Sequence, residues 1–397
     1  MPAGIIGPTA LRLAAPRAFL TETPLMSKVV FLCLSLVAIS PLFSQAPVSV
    51  TLTADKDNTL YDAPSGLISN GFGTGIFVGM DSGSMIRRRA LVSFNVAGTV
   101  PAGATILSAE LRLVVAQTTA PAQVITVRRV TQLWGEANSV PFGGGGGGAV
   151  ALPGDATWSH AILPTNLWNQ PGGDFVPYGN SSILVGGTGP YVWPSNSEMI
   201  ADVQQWLDSP SNNFGWLLHD EEVPMTQSAK RFDSRHVSNA ANRPKLILTY
   251  VTGTGPSATV SGNGCPGSGG GMFDPDFRLR TNEPPRLGSA TFQIQAVNGL
   301  AGGSISLYLA SAISGAPLPL PGANGCAIFL DVPSAQLLIN SGLSPIGPIP
   351  TASGSLNLPI PLPLDPGLAN VSLSVQAASF DGISFLASNA ITLNFQF

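Results

Sequence analysis

Residues 87–115, RRRALVSFNVAGTVPAGATILSAELRLVV, constrain the fold more than any other stretch of this chain. In 90–96, Leu91, Ser93 and Asn95 alternate with Val92, Phe94 and Val96, the period of a strand with one face in a core. In 108–115, Ala109, Leu111, Leu113 and Val115 share a face, and Glu110 and Arg112 share the other. A polar Pro/Gly loop joins the two strands. The rest of the chain is written in the same style. Its 45 glycines and 35 prolines rule out long helices, because these are the two poorest helix residues. An apolar content of 44% argues against disorder, which needs a chain too polar to form a core. The expected class is all-β, with two β-sandwich (jelly-roll-like) domains joined by a Gly/Pro-rich linker.

The domain boundaries follow composition. Residues 1–46 form a leader, with a signal peptide over 26–46. Lys28 supplies the basic start, 29–40 (VVFLCLSLVAIS) the apolar run, and Ser44 and Ala46 the small residues of a cleavage site. The apolar run is too short to span a bilayer comfortably, so the mature chain is expected to have no transmembrane segment. Residues 47–252 make the first domain, opening with a strand at 48–53. A polar, turn-rich stretch follows, then the strands above and another at 124–130. Six consecutive glycines at 143–148 read as a flexible loop. A short helix is expected at 197–207, capped by Ser197, with Met199, Val203, Trp206 and Leu207 on one face. Strands at 214–219 and 245–251 close the domain. Residues 253–287 read as the linker, and 288–397 as a second domain of six or seven strands. That second domain has Asp331, Asp365 and Asp381 but no Lys or Arg.

Removal of the leader leaves Cys265 and Cys326. An even remainder in an exported chain reads as a disulfide, with two free thiols as the alternative. Neither cysteine has the close Cys or His neighbour of a zinc site.

Several elements of the first domain stand in the order of a known family. Asp55 to Asn58 come first, then Asn70-Gly71-Phe72-Gly73, the arginine-led strand 89–94, and Ser108-Ala109-Glu110-Leu111. Trp134-Gly135-Glu136 pairs with Thr157-Trp158. The helix leads to Gly215-Trp216, and Phe232-Asp233-Ser234-Arg235 and Arg243-Pro244-Lys245-Leu246 close the set. In this order the first domain resembles the secreted bacterial DNRLRE domain, also described as carbohydrate-binding module family 96. The glycine run and His236 depart from that pattern. The resemblance implies a non-catalytic extracellular β-sandwich whose partner is a polysaccharide or cell-surface glycan. The second half, with Gly264-Cys265-Pro266-Gly267 and Gly325-Cys326, resembles terminal modules of secreted proteins from environmental bacteria. That likeness implies export and fold only.

Signals for chemistry are sparse. The chain has three histidines, His160, His219 and His236, and neither a G-x-S-x-G elbow nor an H-E-x-x-H motif. No enzymatic activity and no cofactor is expected. The net charge of −4 gives no reason to expect nucleic acid or an anionic membrane, both of which need basic clusters. Asp55, Asp57 and Asn58 offer the hard oxygens that a structural Ca²⁺ prefers; the competing reading is solvated turn carboxylates. His219-Asp220-Glu221-Glu222 reads as a metal or base site, or as a polar loop at a strand end.

Arg87, Arg88 and Arg89 are the densest positive charge. One of them must point toward the core and be paired there, with Asp233 and Glu110 as candidate partners. The functional alternative has Arg87 and Arg88 gripping the carboxylates of an acidic glycan. Trp158, Trp168, Tyr178, Tyr191 and Trp193 lie in a loop-rich region and are the candidate sugar-stacking platform; the competing reading makes them plugs over the sandwich edge. Two functions follow: a secreted polysaccharide-binding protein, or a structural, adhesive extracellular protein with no sugar site.

Overall fold

A computed structural model describes residues 46–81, 83, 85–266, 276–320 and 326–397. The leader reading falls on residues 1–45, outside the described residues. The class is all-β: antiparallel sheets dominate, with two α-helices among the described residues.

The first sheet system has eleven strands and bends back on itself. One limb pairs Val48–Thr53, Lys245–Val251, Thr105–Gln117 and Lys230–Asp233, with Gly189–Trp193 alongside Thr105–Gln117. The other pairs Lys56–Tyr61, Arg87–Ser93, Trp216–His219, Gln123–Arg129 and Ser181–Val185. Gly75–Met80 turns the corner. Its first part pairs with Lys230–Asp233, while Gly79 and Met80 pair with Arg88 and Arg87. Gly79 has φ +93°, and a Cβ there would lie 2.8 Å from the Ser228 backbone, so the corner requires glycine. The strand period dictates the core. Ala109, Leu111, Leu113 and Val115 on one limb meet Val92, Phe94, Ile125, Val127 and Trp216 from the other.

The helix α1, Ser197–Asp208, plugs this core with Met199, Val203, Trp206 and Leu207. Its cap is Asn196, one residue before the expected Ser197. The Asn196 Oδ1 accepts from the backbone N–H of Glu198 and Met199, both at 3.0 Å.

The polar stretch after Ala54 is not a run of turns. Lys56–Tyr61 and Gly75–Met80 are strands, because Leu60, Tyr61, Ile76 and Val78 carry enough apolar surface to enter the core. The strand Arg87–Ser93 is also buried on both faces rather than one. Residues 131–175 fold over its outer side, where Leu60, Leu91 and Leu217 pack against Trp134, Trp158 and Trp168. The glycine run is pinned beside it: the Tyr61 hydroxyl donates to Gly145 O at 2.8 Å, and Arg88 Nε donates to Gly146 O at 2.9 Å.

The stretch read as a linker carries two strands. Ser257–Ser261 pairs with Phe385–Asn394 at the edge of a five-stranded sheet. Arg278–Thr281 pairs with Gln293–Val297 in a three-stranded sheet. Val260, Phe277 and Leu279 explain this, since each joins the second core. That core draws on Ile305, Leu307, Val375, Ile391 and Leu393. The helix α2, Val332–Asn340, packs its Leu338 there and is capped by Asp331, whose Oδ2 accepts from Ser334 N–H at 3.0 Å. Cys265 and Cys326 are bonded, with S–S 2.06 Å. All described residues belong to one compact unit.

Candidate functional site

The aromatic platform expected from the sequence does not lie open. Trp193 is fully buried, and Trp158 and Trp168 are 7% and 5% exposed. Trp168 Nε1 donates to Thr157 O at 2.8 Å, and Trp193 Nε1 donates to Ile125 O at 3.0 Å. Trp158 and Trp168 are covering plugs, because the outer face of Arg87–Ser93 needs apolar cover, and Trp193 is part of the main core. Tyr191 is half-buried and closes its own turn by donating to Gly187 O at 2.9 Å. Tyr178 is half-buried, at a different place described below.

The arginines are likewise committed. Arg89 is clamped by Glu222, and Arg88 pairs with Asp81. Arg87 pairs with Asp62 at 2.6 Å and with Glu222 at 3.4 Å. Asp233 and Glu110, the expected partners, are not used. The Arg87 and Arg89 guanidiniums lie 5.1 and 4.8 Å from the Trp158 ring centre. Arg87 and Arg88 therefore build the fold and are not a free glycan grip.

The suggested cation ligands are also structural. Asn58 sits on a strand, and its Oδ1 already accepts from Thr59 N, Ser69 Oγ and Asn70 N at 2.7–3.0 Å. Asp55 accepts from Ser93 Oγ at 2.7 Å. Asp57 accepts from Arg235 N–H at 2.5 Å, but its other oxygen is buried without a partner among the described residues. Burial pushes the Asp57 carboxyl up to about 8, against the lowering effect of the Arg235 hydrogen bond. The described residues gather no three His, Cys, Asp or Glu side chains able to hold a metal ion. His219 is buried and its pKa lies well below the usual imidazole range, chiefly from desolvation and then from Arg128 and Arg89. Its Nε2 accepts from Arg128 Nε at 2.7 Å, so no lone pair is left for general-base work.

The structure brings a different set of groups together along α1. A cleft of about 230 Å³ lies between this helix and residues 260–263. Arg129, Tyr178, Asp202, Gln205, Asn263 and Arg278 line it, together with Glu198 and Asn180. A second cleft, of about 360 Å³, runs on between α1, Thr105 and the strand Ser257–Ser261. The two share Ala201, Gln205 and Val260, so they form one groove along the helix.

Buried ion pairs hold the groove open. Glu198, in the first turn of α1, binds Arg278 through Oε1 (2.8 Å to Nε) and Arg280 through Oε2 (2.6 Å). Asp202, one turn on, is held by Arg129 Nε at 2.9 Å, Trp216 Nε1 at 2.7 Å and Asn180 Nδ2 at 2.9 Å. Burial raises the Asp202 carboxyl to about 7, with Arg129 opposing the shift. Arg278 stacks on Tyr178, with Cζ 4.1 Å from the ring centre. Gln205 and Asn263 are exposed at the rim.

No protein-family model matches this chain, and no curated protein matches it.

Of the residues singled out in the sequence, only Tyr178 reaches the groove. Arg278 and Asn263 went unnoticed because they lie in the stretch read as a linker. Arg129 carried a faint signal: it ends an apolar strand beside Arg128, where a second consecutive charge needs its own partner.

Proposed function

We propose that this chain is an exported, non-catalytic polysaccharide-binding protein. The observation that carries this reading is the α1 groove. There one aromatic ring (Tyr178), two side-chain amides (Gln205 and Asn263) and two guanidiniums (Arg129 and Arg278) converge. Sugars are recognised by such a mixture: the ring meets the apolar face of a pyranose, and the fork-shaped donors meet hydroxyls. The continuation of the groove past Thr105 suits an extended ligand better than a single small molecule. The Cys265–Cys326 bond is compatible with an oxidising, extracellular location. The likeness of residues 47–252 to the DNRLRE domain points the same way. Affinity electrophoresis of the mature chain across neutral and acidic polysaccharides tests the proposal. Retention by at least one polymer, reduced by Tyr178→Ala, is the expected result.

A structural, adhesive role is the second reading. It is favoured by the surface of residues 288–397, which carries three aspartates and no cation while exposing Leu337, Leu364 and Ile383 at 69, 73 and 95%. No retention by any polymer would turn the assignment to this role.

A further inference from the structure

The edges of the sheets are guarded unevenly. Ile346–Pro350, Leu356–Pro359 and Gly189–Trp193 each carry proline, which has no N–H to offer a further strand. Ser257–Ser261 and Arg278–Thr281 run beside α1, and the Thr281 N–H donates to Ser197 Oγ at 3.1 Å. Val48–Thr53 has no such protection. It pairs with Lys245–Val251 on one side, and no described strand pairs with the other. Its sequence, VSVTLT, holds neither a charge nor a proline. Val48, Ser49, Thr51 and Thr53 are exposed, so the outer side is open. An open, uncharged edge offers a row of N–H and C=O groups to another strand.

We infer that this edge is the interface of a symmetric dimer, in which Val48–Thr53 of two copies pair antiparallel. The alternation along the strand selects a second copy as the partner. A two-fold axis through the ladder sets residues of the same face opposite one another. With Val50 on the axis, Val48 meets Leu52 of the second copy, and Ser49 meets Thr51. With Thr51 on the axis, Val50 meets Leu52, and Ser49 meets Thr53. In both registers apolar residues face apolar residues and hydroxyls face hydroxyls, the pairings that stabilise a sheet. The strand already makes one such contact inward, where Ser49 Oγ lies 3.1 Å from Thr249 Oγ1. Val50 is half-buried against the first core and Val48 is 43% exposed, so pairing also covers the rim of that core in both copies. Because the strand is uncharged, two copies of net charge −4 meet there without like charges opposed. The dimer stands whether or not the α1 groove takes a glycan.

Light scattering and sedimentation of the full chain across a wide concentration range test this. A reversible monomer–dimer equilibrium is expected, and a weak one, because a single six-residue strand lies at the small end of interface sizes. Thr51→Lys sets two like charges opposite or diagonal to each other across the axis. It is expected to weaken the dimer about tenfold or more and to leave the unfolding midpoint unchanged, since Thr51 is exposed. Nitroxide labels at Thr51→Cys should couple strongly in the dimer, because the two backbones at this position stand within about 8 Å. A monomer at every concentration overturns the inference. So does a dimer that Thr51→Lys leaves intact or whose labels stay uncoupled. Assemblies longer than two copies mean head-to-tail pairing and overturn it as well.

Discussion

Glu222 closes a two-pronged clamp on Arg89, with Oε1 2.5 Å from Nε and Oε2 2.9 Å from Nη2. The two residues are 133 positions apart, and both are buried. Removing one partner leaves the other charge stranded. Glu222→Gln is expected to destabilise the fold by about 3–5 kcal/mol, the usual cost of breaking a buried pair. Denaturant unfolding measures it, and a loss under about 1 kcal/mol would show that the pair is dispensable.

Trp158 and Trp168 act on stability before they act on any ligand. Each fills the layer over Leu91 and Leu217. Trp158→Ala and Trp168→Ala are expected to cost about 3–5 kcal/mol in unfolding free energy. Under conditions where the variants stay folded, glycan retention should match that of the parent. Loss of retention at full stability would restore a role for these rings in binding.

The contribution of Asp57 and Asp202 to stability should fall as pH rises. Burial holds Asp57 near 8 and Asp202 near 7, both above the ordinary carboxyl value of 3.8. Between about pH 4 and pH 8 the folded chain keeps protons that the unfolded chain has released. This contribution is fully present below pH 4, is lost as pH climbs through the folded values, and is flat above them. Asp57→Asn mimics the protonated form. It should flatten the slope and raise stability at pH 8.5 by about 1 kcal/mol or more. Unfolding midpoints at pH 5, 7 and 8.5 read the effect; an unchanged slope in the variant would assign it to other groups.

The disulfide closes a loop of 61 residues. In the chain-entropy account such a loop contributes about 4 kcal/mol. Cys265→Ser with Cys326→Ser should lower the unfolding free energy by that order. Calorimetry on the oxidised, reduced and double-serine forms decides it, and equal stability in all three would refute the expectation.

Glu198 ties α1 to Arg278 and Arg280. Glu198→Gln should loosen that seam and expose the strand Arg278–Thr281 to limited proteolysis, with cleavage after Arg278 or Arg280. Continued resistance would mean that apolar packing alone holds the seam.

What the sequence conveyed was local. The alternation in 245–251 marks its strand residue for residue, and the apolar spacing in 197–207 places α1 to within one residue. Cysteine arithmetic identified the bonded pair. The failures share a cause: they depend on partners far away in the chain. A period of two in 90–96 suggests one face outside the core, but residues 131–175 return to cover it. The apolar residues Leu60, Leu91 and Leu217 on that side were the available signal. Arg278 sat in a Gly/Pro-rich stretch whose composition resembles a linker, and only its pairing with Glu198, 80 positions away, shows otherwise.

Strand register also governs how the molecule answers a pull. Val48 lies opposite Tyr250, and Ser257 lies opposite Asn394. In each sheet system the chain thus enters and leaves at the same end of an antiparallel ladder. Tension between residues 47 and 395 peels rungs one after another instead of loading them together in shear. Single-molecule stretching should show stepwise yielding at low force, and a single high-force rupture would refute the peeling geometry.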